Sequence, residues 1–239
     1  LHPDETRHIQ VTLRLQPGSP IRVTDGRGHE ASAVITAFEP DQRTRLTLRA
    51  MLPSAFAGNE HKTVLRLFAA FAAKGVMDEL VEKGQELGLA AFYPLVTERT
   101  VVSLAGEKEG KVLERWYKIA RESAKQSGNT ELMQIAKPMK LEAALKLIPS
   151  GEEVLIFHPG DDGTAMAGWL RDVRAHPRPD LAFNLFIGPE GGFSEHEIEA
   201  TRQLCESLGI RMTLISLGRA ILRVSTAVVA AVGAIKYSH

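Results

Sequence analysis

Two patterns of apolar and polar residues divide the chain. Up to about Leu52 the sequence consists of short strand-like runs, beginning with HIQVTLRL and separated by turn sequences such as Pro17-Gly18. Short strands at this spacing, with turn residues between them, are typical of a small β-barrel. We therefore predict a β-barrel domain over residues 1–62.

The second pattern alternates buried strands with longer helices. A compact apolar run, TVLRLFAAF, precedes the helical run KGVMDELVEKGQELG, which Gly88 is expected to end. The same alternation continues to a closing helix, VSTAVVAAVGAIKYS. Strand, helix and strand in this order form right-handed crossovers, so residues 63–239 are predicted to be an α/β domain with helices on both faces of a mostly parallel sheet.

Composition and charge exclude some classes of protein. With 44% hydrophobic and 24% charged residues, the chain has ordinary globular composition. Equal numbers of basic and acidic residues, 29 of each, argue against a protein that coats nucleic acid nonspecifically. A local patch remains open, since the basic residues before position 63 are mostly arginine, which suits phosphate contacts; a solvated surface is the equal alternative. These residues are Arg7, Arg14, Arg22, Arg27, Arg43, Arg45, Arg49 and Lys62.

Cysteine content and hydropathy bear on the cellular compartment. The single cysteine, Cys205, excludes an internal disulfide framework and a cysteine-rich metal site, and we expect it to be a buried, inert thiol. The longest apolar stretch, AILRVSTAVVAAVGAI, contains Arg223 and is shorter than the roughly 20 residues of a membrane span. The N-terminal sequence LHPDETRHIQ lacks the apolar centre of a signal peptide. We expect a soluble, cytoplasmic protein without a metal site.

A glycine-rich loop, GPEGG at residues 188–192, follows a predicted buried strand and precedes a predicted helix. Open parallel sheets bind ligands at such strand ends, and the glycines let a ligand approach the backbone. Phosphate binding is an alternative, but no lysine follows and Glu190 would repel an anion. We therefore favour a neutral or cationic ligand. Ser194 and Glu197 are predicted to form a capping box at the start of the helix.

Two further strand ends are predicted to face the same crevice. ISLGRAILRVSTA carries a strand into Gly218 and then into the last helix, and HPG at residues 158–160 ends another strand. Arg219 and Arg223 flank Ile221 and Leu222 in the first of these loops. Taken alone, that loop could be an amphipathic turn with its arginines in solvent.

Several motifs together resemble the RsmE family of ribosomal RNA methyltransferases, which belong to the SPOUT class. They are IGPEGGFSEHE, LGRAILRVSTA about two dozen residues later, ELG at 86–88, AKQSG at 124–128 and TRH near the N-terminus. The resemblance covers nearly the whole chain. It implies a PUA-like barrel joined to a SPOUT domain with a C-terminal trefoil knot, one of the exceptions to the rule against knots.

The resemblance also implies an activity and a set of partners. Family members are homodimers that use S-adenosylmethionine to methylate ring nitrogen 3 of one uridine in the 16S RNA of the small ribosomal subunit. The resemblance implies that His8 and Arg14 lie on the RNA-facing region of the barrel, and Arg7 and Arg27 of the arginine-rich segment are further candidate RNA-binding residues. The implied cofactor-binding residues lie at the strand ends: His158, Gly188, Pro189, Glu190, Gly192, Leu217, Gly218, Ile221 and Leu222.

Arg223 is the candidate catalytic residue. Uridine nitrogen 3 must lose a proton, so the reaction needs a base or a donor that stabilises negative charge on the uracil oxygens, and a fixed guanidinium can be that donor. Arg223 could equally pair with a carboxylate of a partner subunit or with a phosphate. Gln126 and Ser127 could hold the target base or a partner subunit, or could simply be polar groups at a helix end.

The sequence departs from the family pattern LGxRILRxETA. Arg219 comes one position early, Ala220 replaces the arginine, and Ser225 replaces the glutamate; Asn129 stands where an arginine usually follows QSG. These changes leave the cofactor loops largely intact but weaken the inference about the target uridine. Two alternatives follow: a SPOUT methyltransferase acting on another RNA position, and a noncatalytic RNA-binding assembly factor. A nucleotide-binding α/β enzyme has little support.

Overall fold

The computed structural model describes residues 1, 3–53, 63–72, 74–100, 107–158, 163–176 and 182–237. The chain divides into two compact units, Leu1–Glu60 and His61–His239. Each unit has its own secondary structure.

The first unit begins with helical turns and continues as an antiparallel sheet. Helix α1 (Pro3–Arg7) leads directly into a π-helical segment, His8–Thr12. Strands β1 (Pro20–Thr24), β2 (Glu30–Phe38) and β3 (Thr44–Leu52) form a sheet in the order β1-β2-β3, with two register shifts between β2 and β3. These described strands form an open three-stranded sheet, and the barrel stays a prediction.

The predicted strand HIQVTLRL is wrong. A strand would place Ile9, Val11 and Leu13 on one face because its side chains alternate with a period of two. In the structure Ile9 is buried, whereas Val11 and Leu13 are 65% and 49% exposed. The amide of Leu13 donates to the His8 carbonyl at 3.1 Å, so the segment satisfies its own backbone hydrogen bonds and needs no neighbouring strand.

The second unit alternates strands and helices as predicted. Its strands are β4 (Val64–Ala70), β5 (Ala91–Val96), β6 (Gln134–Ile135), β7 (Met139–Lys140), β8 (Glu153–Phe157), β9 (Thr164–Ala165), β10 (Ala182–Ile187) and β11 (Arg211–Ser216). Its helices are α2 (Lys74–Glu86), α3 (Glu107–Ser127), α4 (Leu141–Leu145), α5 (Met166–Ala175), α6 (Glu195–Ser207) and α7 (Val224–Lys236). Strand β7 leads directly into α4, whose N-cap is Lys140.

The sheet of this unit is parallel throughout its described pairings. Its strand order is β6-β5-β4-β10-β8-β11-β9, and β7 also pairs with β5. Alternate residues of β4 belong to different hydrophobic clusters: Leu67 packs in the cluster that contains Met77, Trp116 and Val228, whereas Phe68 packs with Leu145. Helices therefore cover both faces of the sheet, and the predicted α/β architecture is confirmed.

Aromatic stacking forms the centre of one face. Phe68 on β4 stacks on Tyr93 of β5 and on Phe186 of β10, with ring centroids 4.4 Å apart in both pairs. Phe68 and Phe186 are almost completely buried. The stack joins three neighbouring strands by side chains as well as by backbone hydrogen bonds, and aromatic pairs of this kind contribute beyond their buried area.

Replacing Phe186 with alanine is expected to lower the free energy of unfolding of the second unit by about 3–5 kcal/mol, because it leaves a cavity and removes a stacking partner. Unfolding in guanidinium chloride, followed by tryptophan fluorescence, measures the stability of this unit specifically, because Trp116 and Trp169 both lie in it. Tyr237→Ala, at a side chain that is 68% exposed, is the control and should stay within about 0.5 kcal/mol. A loss below about 1 kcal/mol for Phe186→Ala would contradict the packing described.

Cys205 lies on α6 and is 1% exposed. Burial raises the pKa of its thiol to about 11. The prediction of a buried cysteine is therefore confirmed, and its low reactivity stays a prediction. Separately, none of the helices in the described ranges is long and apolar enough to span a bilayer.

The raised pKa predicts slow reaction of Cys205 with a thiol reagent. A pKa of about 11 leaves roughly one thiol in a thousand as the reactive thiolate at pH 8. The native protein should therefore react with Ellman's reagent far more slowly than the same chain in guanidinium, and its rate should rise as the pH approaches 11. Equal rates in the native and unfolded protein would contradict the burial of this thiol.

Candidate active site

Three neighbouring strands end at the same edge of the parallel sheet. β8 pairs with β10 on one side and with β11 on the other, all in parallel register. The segments that follow these strands are His158 after β8, residues 188–192 after β10 and residues 217–223 after β11. The carboxyl edge of an open parallel sheet is where such folds bind ligands.

These segments line one crevice, and all nine predicted cofactor-binding residues border it. They are His158, Gly188, Pro189, Glu190, Gly192, Leu217, Gly218, Ile221 and Leu222. Six further lining residues were missed by the sequence analysis: Phe157, Ile187, Ile215, Ala220, Val224 and Ala227. All six are apolar. Five lie inside two of the motifs, Ile187 in IGPEGGFSEHE and the last four in ISLGRAILRVSTA, and Phe157 directly precedes HPG. Their apolar character, rather than glycine content, is the signal that could have found them.

The turn at residues 188–192 requires glycine at its first position. A Cβ atom on Gly188 would lie 2.8 Å from the Phe193 amide nitrogen and 2.9 Å from the Gly192 carbonyl carbon. The amide of Gly192 donates to the Pro189 carbonyl at 2.7 Å and closes the turn. Gly192 has a φ of +67°, a value that side chains disfavour. The loop therefore folds back on itself and presents backbone to the crevice.

The predicted capping box at the start of α6 is confirmed. The amide of Glu197 donates to Ser194 Oγ at 3.0 Å, and the amide of Ser194 donates to Glu197 Oε2 at 2.9 Å. These two bonds satisfy amide groups that a helix start leaves open and fix the exit of the glycine-rich loop.

The crevice walls are mostly apolar, with few polar groups. Nδ1 of His158 is buried and has no hydrogen-bond partner among the described residues. The backbone amide of His158 donates to the Ile215 carbonyl at 3.1 Å and so holds this residue beside β11. An unpaired buried nitrogen is costly, so it marks a position where a polar group of a ligand would be stabilised. Glu190 is exposed at the same crevice.

Arg223 occupies the N-cap position of α7, between two residues that line the crevice, Leu222 and Val224. Its side chain is exposed and does not line the crevice itself. Ile221, two residues earlier, is 84% exposed. A long guanidinium side chain at this position can reach a substrate that lies across the mouth of the crevice.

Two polar residues near the end of α3, Ser127 and Asn129, form hydrogen bonds within the protein. Ser127 Oγ donates to the Ser123 carbonyl at 2.8 Å, as a helix-end hydroxyl does. Asn129 donates to the Gln85 carbonyl at 3.2 Å and accepts from the Glu131 amide at 3.1 Å, so it ties the end of α3 to α2. The helix-end interpretation of Ser127 is therefore the better one. Gln126 is exposed.

The predicted RNA-binding residues all lie in the first unit. Arg7, Arg14 and Arg27 are exposed, and His8 is half-buried. Other arginines of this unit form ion pairs within it: Arg22 with Glu30 at 3.3 Å, Arg43 with Asp41 at 3.4 Å and Arg45 with Glu39 at 3.0 Å. The three guanidinium side chains are nevertheless 69–76% exposed, so these ion pairs leave them on the surface of the unit.

Among the described residues, no group of three or more histidine, cysteine, aspartate or glutamate side chains could hold a metal ion.

Comparison with known families decides the assignment of the chain. The family described as RNA methyltransferase domain matches residues 59–236, and the family described as RNA methyltransferase PUA domain matches residues 1–42. The chain belongs to the RNA methyltransferase family. The first match covers the sheet, the glycine-rich loop and the last helix of this methyltransferase.

Individual relatives narrow the family of this methyltransferase. It is 28% identical over 237 residues to ribosomal RNA small subunit methyltransferase E of Bacillus subtilis, covering 98% of this chain and 88% of the relative. The enzyme of the same name from Synechocystis is 29% identical over 93% of this chain and 67% of its own length. The predicted resemblance to the RsmE family is confirmed.

A solved structure of this family has a similar fold. The ribosomal RNA small subunit methyltransferase E of Neisseria gonorrhoeae, solved with S-adenosylmethionine bound, superposes with a TM-score of 0.80 at 26% identity. The match covers 100% of this chain and 90% of that one.

Substituting Gly188 with alanine is expected to weaken ligand binding at the crevice and lower the melting temperature, because the new methyl group would clash with the loop backbone. Gly110→Ala is the matched control. Gly110 lies within α3, where an added Cβ meets no atom within 4 Å, so alanine should be neutral or stabilising by up to about 1 kcal/mol. Calorimetry on both variants measures the effect, and equal melting temperatures would show that the loop tolerates a side chain.

Proposed function

We propose that this methyltransferase transfers a methyl group from S-adenosylmethionine to ring nitrogen 3 of one uridine in 16S ribosomal RNA, acting on the small ribosomal subunit as a homodimer. The observation that carries the proposal is the convergence of the nine cofactor-binding residues that the family resemblance implies on one crevice at the end of β8, β10 and β11. A relative named ribosomal RNA small subunit methyltransferase E matches nearly the whole chain.

The crevice residues fit S-adenosylmethionine in chemical type. Apolar side chains such as Leu217 and Leu222 can pack on a flat adenine ring, and the buried Nδ1 of His158 can hydrogen-bond a polar group. Glu190, exposed at the crevice, carries a charge opposite to that of a sulfonium. The close-packed Gly188 turn offers backbone groups for hydrogen bonds.

The crevice is smaller than a typical ligand pocket. It encloses about 70 Å³, whereas ligand pockets usually enclose roughly 300–1,000 Å³. A ligand as large as S-adenosylmethionine therefore requires the exposed segment around Ile221 to move outward, or extends beyond the crevice along that segment. A second subunit packed over Ile221 would shield both the ligand and this side chain from water, which supports the homodimer.

The methyl transfer requires the protein to orient the two reactants more than to activate them. When bound, S-adenosylmethionine supplies an electrophilic methyl group on a sulfonium. The protein must hold the uridine nitrogen in line with that methyl group and exclude water, which the apolar crevice walls can do. Transfer would form a nitrogen–carbon bond and break the sulfur–methyl bond, leaving S-adenosylhomocysteine, and the proton on the nitrogen would pass to a base. Arg223 is not that base, because a guanidinium donates hydrogen bonds and has no acceptor for a proton.

Arg223 is proposed to stabilise negative charge on the uracil oxygens. Its exposed side chain starts beside Leu222 at the edge of the crevice, where the target base must lie to reach the methyl group. A fixed cation at that position favours the charge that develops in the transition state more than the neutral ground state.

The two parts of the chain have separate proposed roles. Residues 1–62, as a PUA-like domain, bind the RNA through Arg7, His8, Arg14 and Arg27, and residues 63–239, as a SPOUT domain, carry out the transfer. The family match to an RNA methyltransferase PUA domain over residues 1–42 supports this division.

We also propose the trefoil knot, with the C-terminal segment threaded through a preceding loop. Its support is the close passage of two segments at the end of β11. Thr164 pairs with Ile215, and a Cβ atom on Gly163 would lie 3.1 Å from the Ser216 amide nitrogen.

The test of the proposed function is transfer of tritiated methyl groups to small ribosomal subunits that lack the modification, followed by nucleoside analysis. The expected product is 3-methyluridine. A different methylated base would indicate that the enzyme acts on another RNA position. The departures from the family pattern at Ala220, Ser225 and Asn129 are the reason to test this alternative. Binding of RNA without any transfer would indicate a noncatalytic assembly factor.

Arg223→Ala is expected to lower kcat by about 10²–10³ because it removes a donor that acts on developing charge. Arg223→Lys should recover part of the rate, since it keeps the charge but loses the planar guanidinium. RNA affinity, measured by filter binding, should change little in either variant. Full turnover by Arg223→Ala would remove Arg223 from the mechanism.

A further inference from the structure

A tight turn after β5 contacts the loop at the crevice from outside. We call residues 97–100 the β5 turn. Its own bonds make it rigid: the amide of Thr100 donates to the Thr97 carbonyl at 3.0 Å, and the amide of Thr97 donates to Thr100 Oγ1 at 2.9 Å. The two threonine hydroxyls lie 2.8 Å apart. Between them the turn presents Glu98 and Arg99 side by side.

Glu98 binds the start of α6 by both its backbone and its side chain. Its amide donates to Glu197 Oε1 at 2.9 Å. Its carboxylate accepts from Ser194 Oγ at 2.7 Å and lies 2.8 Å from His196 Nδ1. The hydrogen bonds from Ser194 and then from His196 lower the pKa of the Glu98 carboxyl below its usual value, so this group stays ionised to a more acidic pH than a free glutamate.

Glu197 joins the β5 turn to the capping box. One of its carboxylate oxygens accepts from the Glu98 amide and the other from the Ser194 amide. The side chain is buried. The β5 turn therefore contacts the residues that fix the exit of the glycine-rich loop.

Arg99 contacts the glycine-rich loop itself. Its guanidinium Nη1 donates to the Gly191 carbonyl oxygen. Its side chain also covers that glycine, because a Cβ atom on Gly191 would lie 3.5 Å from both Arg99 Cδ and Nη1. Neither Glu98 nor Arg99 lines the crevice, so any effect on a bound ligand must pass through the loop.

We propose that Glu98 and Arg99 are positioning residues, which hold residues 188–192 in the shape that binds S-adenosylmethionine. The inference rests on the proposed function for the identity of the ligand. A loop with three glycines has many accessible conformations, and ordering it on binding costs free energy that reduces affinity. A guanidinium bound to the loop carbonyl from outside orders the loop in advance.

Arg99→Met tests the proposal because methionine keeps an unbranched, flexible side chain and loses the donors. The Kd and KM for S-adenosylmethionine should rise about five- to tenfold, the loss expected for a partly exposed charge-assisted hydrogen bond. The kcat should fall less than twofold, since the reacting groups are unchanged. The melting temperature should match that of the parent protein, because Arg99 is exposed.

Two variants control this experiment. Arg99→Lys keeps a cationic donor and should recover part of the affinity. Arg202→Met removes an exposed arginine of α6 that pairs only with Glu199 of the same helix in the contacts described, at 3.5 Å, and should leave the Kd unchanged. A Kd for Arg99→Met equal to that for Arg202→Met would overturn the proposal.

A measurement without the ligand separates this proposal from the proposed function. Amide hydrogen exchange at Gly192, whose amide closes the loop turn, should be about tenfold faster in Arg99→Met than in the parent protein. Unchanged exchange would overturn the positioning role. If the parent protein fails to bind S-adenosylmethionine while exchange at Gly192 accelerates, the proposed function fails and the positioning of the loop stands.

Discussion

The parallel pairing of β8 with β10 and β11 is the constraint on which the rest of the structure depends. Because three adjacent strands run in one direction, the segments that leave them meet at one edge. Loops separated by 25 or more positions in the sequence, at 158, 188–192 and 217–223, then form one crevice. Without this pairing neither the glycine-rich turn nor Arg223 would have a site to contribute to.

Polar contacts at the opposite edge of the sheet reinforce the same pairing. Glu153 at the start of β8 accepts from Trp169 Nε1 at 3.1 Å and from Thr213 Oγ1 of β11 at 3.0 Å. Asn184 of β10 donates to the Glu153 carbonyl at 3.2 Å. Buried polar groups satisfied in this way specify one register, since a slip of a single residue would leave them unpaired. Register is thus fixed at the amino ends, while the carboxyl ends are left for the crevice.

The sequence predicted what depends on local pattern. The glycines of residues 188–192, the capping box of Ser194 with Glu197 and the alternation of strands and helices are local signals, and the structure agrees with each. The HIQVTLRL segment misled because its alternation fits a strand, whereas its backbone bonds close within a helical turn. A period of two over a few residues does not exclude a short helix.

Contacts between distant residues could not be predicted from pattern. Glu98 and Ser194 are 96 positions apart, and nothing in the spacing around either one indicates the other. The ion pairs of Arg22 and Arg45 likewise depend on how the strands of the first unit pair, which the sequence pattern does not specify. The chemical identity of the ligand and the substrate came neither from local pattern nor from the structure. The cofactor and the target nucleotide come from family resemblance, because a crevice of this kind specifies a ligand only by polarity and size.

The most direct test of the central claim is a crystal structure of the protein with S-adenosylmethionine. Ligand density is expected between residues 188–192 and residues 217–222, with a polar ligand atom within hydrogen-bond distance of His158 Nδ1. Density at any other edge of the sheet, or crystals that exclude S-adenosylmethionine at saturating concentration, would contradict the assignment of this crevice as the cofactor site.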